Sequence, residues 1–402
     1  MKPPLRYITN IKLNYLAGIY IHIPFCKQAC YYCNFHFSTS AGSRNEMIHS
    51  MIKEIEIRSS KAINNPENEL AILSSENELI KTIYFGGGTP SLLLKEDILS
   101  ILLSIKQNYS VAKDAEITLE ANPDDIHMQK LTDWKDAGIN RLSIGIQSFI
   151  ERDLKWMNRA HNAAQALNCI RLVREAGFTN FSIDLIFGTP GLTEEEWEKN
   201  IRTVIDLNVP HISSYALTVE PKTALQKMIE LKKKENVNND TQAKQFSILM
   251  EMMRTAGYEH YEISNFAKPG FRSRHNSSYW QGEKYIGIGP SAHSYNGKER
   301  SWNIANNRLY IQSLQQNSIP FEKETLTKSE RLNEYVMTSL RTIEGLDLDF
   351  VEKTFSLAER TRIEKLLKNR IEKDNFIQQK NKIILTEKGK LFADRIAVEL
   401  FV

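Results

Sequence analysis

Short runs rich in β-branched residues alternate with longer amphipathic stretches through the first half of the chain. Six runs predict β-strands, at 19–23, 81–85, 116–120, 140–146, 180–186 and 211–217. The intervening and following stretches predict helices at 46–59, 95–106, 126–137, 163–176, 193–207 and 242–256. Gly138, Gly177 and Gly257 follow three of these helices, where a left-handed residue commonly ends a helix. This alternation indicates βα units around a parallel sheet.

Six βα units are too few to close an eight-stranded barrel. We therefore predict an α/β fold built on an open (β/α)6 partial barrel, with ligands bound at the C-terminal ends of the strands. After about residue 303 the chain becomes rich in Glu, Lys and Leu, and two β-rich runs in 376–386 precede a last predicted helix at 387–398. This pattern predicts a C-terminal helical domain with a winged-helix arrangement. The expected division is an N-terminal segment at 1–18, a barrel domain with an extension at 19–300, and the C-terminal domain at 301–402.

Charge and composition argue against nucleic-acid binding and against insertion in a membrane. The 402 residues are 41% hydrophobic and 25% charged, and 52 basic residues against 49 acidic ones give a net charge of +3. This balance does not favour a nucleic-acid partner. We therefore expect the winged-helix region to have a docking or covering role rather than to bind DNA. The first 16 residues lack the apolar region of a signal peptide, and no apolar run reaches the ~18 residues of a membrane span. We expect a cytoplasmic protein without a membrane span.

Three of the four cysteines lie within eight residues, at the spacing CxxxCxxC: Cys26, Cys30 and Cys33. Three thiolates on one loop can ligate three irons of a [4Fe-4S] cluster and leave the fourth iron free. A structural zinc with His36 as its fourth ligand is the alternative. Cys169 lies among apolar residues of a predicted helix, where it is expected to pack in the core.

The cysteine motif is followed by four further motifs at successive predicted strand ends: 85–90 (FGGGTP), 119–123 (LEANP), 143–148 (SIGIQS) and 184–190 (DLIFGTP). In this order, and with aromatic Tyr32 just before the last cysteine, they resemble the radical S-adenosylmethionine (SAM) superfamily. The resemblance implies that SAM chelates the free iron and is the source of a 5'-deoxyadenosyl radical. The three cysteines would then be ligands rather than nucleophiles, and no catalytic side chain is predicted.

The same resemblance implies a set of SAM contacts. Glycines in the second motif would let the backbone meet the methionine ammonium, and Glu120 would accept hydrogen bonds from the ribose hydroxyls. Taken alone, Glu120 could instead cap the next helix, and any one of the other side chains is better explained by a structural salt bridge or a core contact. The full set of predicted cofactor-binding residues is Tyr20, Tyr32, Gly87, Gly88, Thr89, Glu120, Gln147, Arg159, Asp184 and Ala216.

Within the superfamily, the phrases IHIPFC and GGGTP resemble the branch that contains the oxygen-independent coproporphyrinogen III oxidase and the HemW family of heme chaperones. The oxidase has a further cysteine two residues after the third ligand, whereas this chain has Phe35 there. The oxidase also carries a longer N-terminal segment than the roughly 18 residues present here. Residues 275–280 fit the HNxxYW motif of the HemW family, which makes His275 a candidate axial ligand for heme iron, with His22, His36 and His293 near the expected site.

The resemblance therefore implies a heme chaperone that binds heme and a SAM-chelated [4Fe-4S] cluster and transfers heme to acceptors such as respiratory proteins. An electron donor to the cluster is also implied. The alternative is an oxidase that uses radical SAM chemistry to decarboxylate coproporphyrinogen III, since the motifs of radical chemistry are intact. A third alternative is DNA binding by the C-terminal domain.

Overall fold

The computed structural model describes residues 15–64 and 79–402, so the first 14 residues of the predicted N-terminal segment lie outside the described residues. Six parallel strands lie side by side in sequence order and confirm the predicted partial barrel. They are β1 (Tyr15–Ile23), β2 (Leu79–Gly87), β3 (Ser110–Ala121), β4 (Arg141–Gln147), β5 (Phe181–Phe187) and β6 (His211–Ala216). Each lies where a β-rich run predicts it. Among the described residues the sheet has two edges and does not close.

Helices cover the outer face of this sheet and connect its strands. In chain order they are α1 (Arg44–Asn64), α2 (Lys95–Asn108), α3 (Met128–Ala137), α4 (Glu151–Met157), α5 (Ala163–Glu175), α6 (Glu194–Asp206), α7 (Ala224–Glu230) and α8 (Asn239–Thr255). Capping boxes begin two of them: Asn162 pairs with Gln165, and Thr193 with Glu196. Gly138 ends α3 at φ 104°, a conformation that favours glycine.

Short strands extend the sheet at both edges. Beyond β6 lie β8 (Asn265–Ala267) and then β7 (Glu259–Glu262), both antiparallel. Beyond β1 lies β9 (Tyr285–Ile288), which is parallel to it, followed by β10 (His293–Tyr295), β11 (Glu299–Asn303) and β12 (Phe321–Thr325). Helix α9 (Arg274–Trp280), which carries the HNxxYW motif, precedes β9. The extension therefore joins the barrel sheet directly.

A buried polar network holds this extension against α1. The Glu54 carboxylate accepts hydrogen bonds from Tyr310 Oη at 2.5 Å, from Asn303 Nδ2 at 2.8 Å and from Gly289 N at 2.9 Å. Arg58, one turn later on α1, pairs with the same carboxylate at 2.7 Å. Because each charge is removed from water, the network depends on these partners being present together.

The C-terminal part has its own core, formed by residues from Leu332 to Leu400. It contains helices α10 (Asn307–Gln315), α11 (Lys328–Leu340), α12 (Leu348–Thr354), α13 (Leu357–Arg370), α14 (Glu387–Lys390) and α15 (Ala393–Leu400), of which α10 packs on the barrel. Strands β13 (Leu346–Asp347), β14 (Phe376–Gln379) and β15 (Lys382–Leu385) form a small sheet in the order 13-15-14. The β14–β15 hairpin lies where the sequence predicts two short strands. The division of the chain at residues 18 and 300 stays a prediction.

The C-terminal part packs on the barrel through polar contacts. Thr342 forms an isolated β-bridge with Glu262, and Arg341 Nε lies 3.5 Å from the same glutamate's Oε1. Lys390 Nζ lies 2.9 Å from His260 Nδ1. Across 15–64 and 79–402, no helix combines the length and the apolar character needed to cross a bilayer.

Candidate functional site

The cysteine motif lies in the loop that follows β1, and backbone hydrogen bonds hold this loop to the sheet. Cys26 N donates to Ser38 O at 3.0 Å, and Ser38 N donates to Pro24 O at 2.9 Å. From β2, Gly88 N donates to Ile23 O at 2.8 Å. The loop is therefore fixed at both ends, and Cys26, Cys30 and Cys33 are each half-buried in it.

The guanidinium of Arg159 lies beside the cysteine loop. It is 3.2 Å from Cys30 Sγ and 3.4 Å from Tyr32 Oη, and it also donates to Asn122 Oδ1 at 2.7 Å. On the other side, Thr89 Oγ1 lies 3.4 Å from Cys26 Sγ. A positive charge and a hydroxyl donor beside the sulfurs favour thiolates over thiols.

Burial has the opposite effect, because it disfavours the charged thiolate. It raises the pKa of Cys26 and raises that of Cys33 to about 11. Metal ligation deprotonates such thiols, so the three cysteines suit a group that binds thiolates strongly. Soft sulfur donors without a carboxylate among them fit an iron–sulfur cluster. Among the described residues, no three His, Cys, Asp or Glu side chains converge closely enough to hold a single metal ion. That these cysteines are the cluster ligands stays a prediction.

A cavity of about 1140 Å³ opens at the C-terminal ends of the parallel strands and brings most of the predicted site together. Its walls include Cys26, Cys30, Cys33, Tyr32, Gly87, Gly88, Thr89, Glu120, Gln147, Arg159, Asp184 and Ala216. Tyr20 is the exception, since it lines a neighbouring cavity with its ring 6.2 Å from that of Tyr84. We call the first of these the strand-end cavity. Its position agrees with the expectation for ligands of a partial barrel.

Gly87 and Gly88 of the second motif lie too close to neighbouring residues for any side chain to fit. A Cβ on Gly88 would lie 2.6 Å from Phe25 O, and one on Gly87, at φ 103°, would lie 2.7 Å from the His22 ring. Strand β2 therefore passes so close to the cysteine loop that side chains do not fit. The sequence predicts that these glycines expose the backbone to SAM. The structure gives a second reason for glycine here, which is the close contact with β1 and the cysteine loop.

Two buried carboxyl groups face the strand-end cavity. Burial raises the pKa of Glu120 to about 8, although a hydrogen bond from Tyr84 Oη at 2.8 Å acts to lower it. Burial likewise raises the pKa of Asp184 to about 6, and Ser143 Oγ lies 3.5 Å away. Glu120 is therefore largely protonated at neutral pH in this environment. Hydroxyl donors that reach the carboxylate would favour its charged form.

A second cavity, of about 1240 Å³, lies next to the first, and we call it the aromatic cavity. Its walls carry many tyrosines, including Tyr20, Tyr84, Tyr261, Tyr279, Tyr285 and Tyr295. The two cavities share five wall residues: Asn34, Phe35, Gly87, Glu120 and Tyr215. Phe35 is 63% exposed at this boundary. No sequence pattern predicts this cavity, because its walls come from segments spread between residues 20 and 382.

His275 of the HNxxYW motif lies in the wall of the aromatic cavity but has no free nitrogen. Its Nδ1 is 2.7 Å from Thr82 Oγ1, its Nε2 is 2.8 Å from Tyr279 Oη, and only 2% of the residue is exposed. Its ring also stacks on Tyr84, with centroids 4.9 Å apart. Burial lowers the pKa of His275 to about 3. Both nitrogens of His275 thus hold the wall together in this structure, and its role as an axial ligand stays a prediction.

Cys169 lies in the core, as its sequence context predicts. It is buried, and its thiol lies 3.1 Å from Ala166 O.

Comparisons with known proteins agree with this geometry. The profile of the Radical SAM superfamily matches residues 20–204, and that of the HemN C-terminal domain matches residues 326–392. A Bacillus subtilis protein named heme chaperone HemW is 32% identical over 95% of this chain and 98% of its own length. The chain belongs to the HemW family. The HemW protein of Escherichia coli is 37% identical over 69% of each chain.

Membership in the HemW family implies the cofactors of the radical SAM superfamily, a [4Fe-4S] cluster and SAM, and the thiol donors of the cysteine loop fit that cluster. Among solved structures, coproporphyrinogen III oxidase (HemN) from Escherichia coli superposes with a TM-score of 0.80 at 23% identity, covering 96% of this chain and 90% of that one. This likeness shows a shared fold, including the C-terminal part.

Proposed function

We propose that this protein is a heme chaperone: it binds heme in the aromatic cavity beside a SAM-chelated [4Fe-4S] cluster and passes the heme to acceptors such as respiratory proteins. The observation that carries the proposal is the aromatic cavity itself, which adjoins the cavity of the cysteine loop and shares five residues with it. The HemW names of the relatives support the same function.

The aromatic cavity has the chemistry that a porphyrin requires. Tyrosine rings offer flat apolar surface to the macrocycle while keeping their hydroxyls hydrogen-bonded. Tyr279 packs edge-on against both His275 and Tyr285, with ring centroids 4.9 and 4.6 Å apart. The walls also carry three arginines, Arg272, Arg300 and Arg331, and an arginine without a carboxylate partner in the protein can pair with a propionate.

In the strand-end cavity, Cys26, Cys30 and Cys33 would hold the cluster, and Arg159 would hold Cys30 and Tyr32 in place. When bound, the cluster and SAM supply a site for one-electron reduction. Glu120 and Asp184 line the same cavity and would orient the ribose and its neighbours. An electron donor is required to use this site, and we include one among the partners.

The alternative function, oxidation of coproporphyrinogen III, is less favoured. Phe35 occupies the position at which the oxidase pattern has a fourth cysteine, and its exposed ring lies in the walls of both cavities. DNA binding is also disfavoured, because the C-terminal part contributes walls to both cavities and packs on Glu262 and His260. A cytoplasmic location is supported by three free thiols on one loop, which suit a reducing compartment.

The deciding experiment measures both functions on one sample. Full-length protein with a reconstituted cluster is titrated with heme under anaerobic conditions and then mixed with SAM, a reductant and coproporphyrinogen III. The chaperone function predicts one heme bound per chain, heme transfer to an apo-acceptor, and no protoporphyrinogen IX. Decarboxylated product at ordinary enzymatic turnover would establish the oxidase instead.

A further inference from the structure

Four histidines line the aromatic cavity: His22, His36, His275 and His293. A heme iron needs an imidazole nitrogen whose lone pair is free. The hydrogen bonds of these four side chains therefore identify the nitrogens that remain available.

Two of the four are fully engaged. His275 uses both nitrogens in the wall, as described above. His22 is 4% exposed, with Nδ1 3.2 Å from Tyr20 Oη and Nε2 2.8 Å from His36 O. Releasing either nitrogen would break a hydrogen bond inside the wall and leave a buried polar group unpaired.

His36 uses one ring nitrogen in a hydrogen bond, since its Nε2 lies 2.7 Å from Asn307 Oδ1. His293 differs from the other three. It is exposed to the cavity, and within residues 15–64 and 79–402 no hydrogen bond to its ring nitrogens is found. The Trp302 ring lies 6.0 Å away at 31° and supports one side of the imidazole.

Two arginines in the same wall, Arg300 and Arg331, differ in their partners. Arg300 is neutralised by Glu324 at 3.6 Å and Glu334 at 2.5 Å. Arg331 is different, since its buried Nε has no hydrogen-bond partner and no ion pair of its guanidinium is found among the described residues. A buried N–H group without an acceptor is costly, and a carboxylate from a ligand would satisfy the Nε of this half-buried residue.

We propose that His293 is the axial ligand of heme iron in the aromatic cavity and that Arg331 pairs with a propionate of the same heme. In this step the neutral imidazole donates its lone pair to iron in place of a solvent ligand, and no electron is transferred. The inference rests on the proposed heme-binding function and adds the residues that carry it. His275 then acts as a positioning residue that holds Tyr84 and Tyr279 in the wall.

The test uses ferric heme added to cluster-loaded, full-length protein, with absorption and electron paramagnetic resonance spectra as readouts. We expect His293→Ala to change both spectra and to weaken heme binding roughly tenfold, and added imidazole to restore the wild-type spectra. Arg331→Gln should weaken binding roughly tenfold with unchanged spectra, and Arg331→Lys should weaken it less, because it keeps the charge. His49→Ala, an exposed histidine on α1, is the matched control and should change nothing.

The outcomes separate the two proposals. If wild-type protein binds no heme, the proposed function and this inference both fail. If wild-type protein binds heme but His293→Ala leaves the spectra unchanged, or His36→Ala alone removes the histidine signature, the assignment of His293 is overturned while heme binding stands. Circular dichroism and iron content should match wild type in the His293 variant, because no hydrogen bond of the fold is lost.

Discussion

Tyr84 donates a hydrogen bond from its hydroxyl to the carboxyl group of Glu120, across 2.8 Å. The ring of the same tyrosine stacks on His275. One side chain thus contacts a residue proposed to bind SAM and the histidine of the HNxxYW motif. Changes in the strand-end cavity can therefore reach the wall of the aromatic cavity through a single residue.

Glu120 should make SAM binding depend on pH. Because the pKa of Glu120 is raised to about 8, its carboxyl group is protonated below that pH and accepts ribose hydrogen bonds poorly. We expect the SAM affinity of cluster-loaded protein to rise between pH 6.5 and 8.5, measured by anaerobic equilibrium dialysis. Glu120→Gln should bind SAM more weakly at pH 8.5, by about 1.5–3 kcal/mol, and without this rise. Equal wild-type affinities across the range would contradict the assignment.

His161 should make the fold less stable in acid. It is buried, donates a hydrogen bond from Nε2 to Ile146 O at 2.9 Å, and has a pKa lowered to about 4, chiefly by burial. The unfolded chain takes up this proton near pH 6.5 but the folded chain does not, so its stability contribution is complete above pH 6.5 and is lost as the pH falls. Relative to wild type, His161→Asn should gain about 2 kcal/mol of unfolding free energy between pH 7.5 and 5.

Urea denaturation at the two pH values measures this difference. Comparing the variant with wild type is necessary because Glu120 and Asp184, whose pKa values are raised, change stability in the opposite direction over part of the same range. The exposed His49→Asn is the control and should show no pH-dependent difference from wild type. A constant difference for His161→Asn would show that its ring does not stay neutral in the fold.

Removing Glu54 should destabilise the extension strongly. Glu54→Ala leaves the Arg58 charge buried without its carboxylate, and the loss should be about 3–5 kcal/mol in urea denaturation. The double variant Glu54→Leu/Arg58→Met removes both charges and should recover part of that loss. If the double variant is less stable than Glu54→Ala, the buried charge is not the main cost.

Each of Cys26→Ala, Cys30→Ala and Cys33→Ala should abolish bound iron and sulfide together, measured by elemental and sulfide analysis after anaerobic reconstitution. Cys169→Ala is the matched control, because that thiol packs in the core and should leave iron content unchanged. One equivalent of zinc in wild-type protein, with no sulfide, would support the structural-zinc alternative.

The partial barrel could be predicted because its strands are buried on both faces and are therefore rich in β-branched residues. On one face of β1, for example, Ile19, Ile21 and Ile23 are all 0% exposed, and on the other face His22 is 4% exposed. The strands of the extension could not be predicted in this way. Strand β10, for instance, is three residues long and gives no periodicity.

The strand-end site was largely predictable, because its residues follow predicted strands and parallel strands end at one edge of the sheet. The hydrogen-bond partners of His275 were not predictable. Its partner Thr82 is 193 positions away in the sequence, and no local pattern reveals that this hydroxyl meets Nδ1. The availability of His293 and Arg331 likewise depends on which neighbours fail to bind them, which only the folded chain determines.

With heme in the aromatic cavity and SAM in the strand-end cavity, as proposed, the five residues common to both cavities would contact heme on one side and SAM on the other. A molecule bound in one cavity would change the positions of these shared side chains and so the shape of the other cavity. The order in which heme and SAM bind would then depend on the protein itself. A carrier built in this way can tie the moment of unloading to the state of its cofactor, without moving a domain.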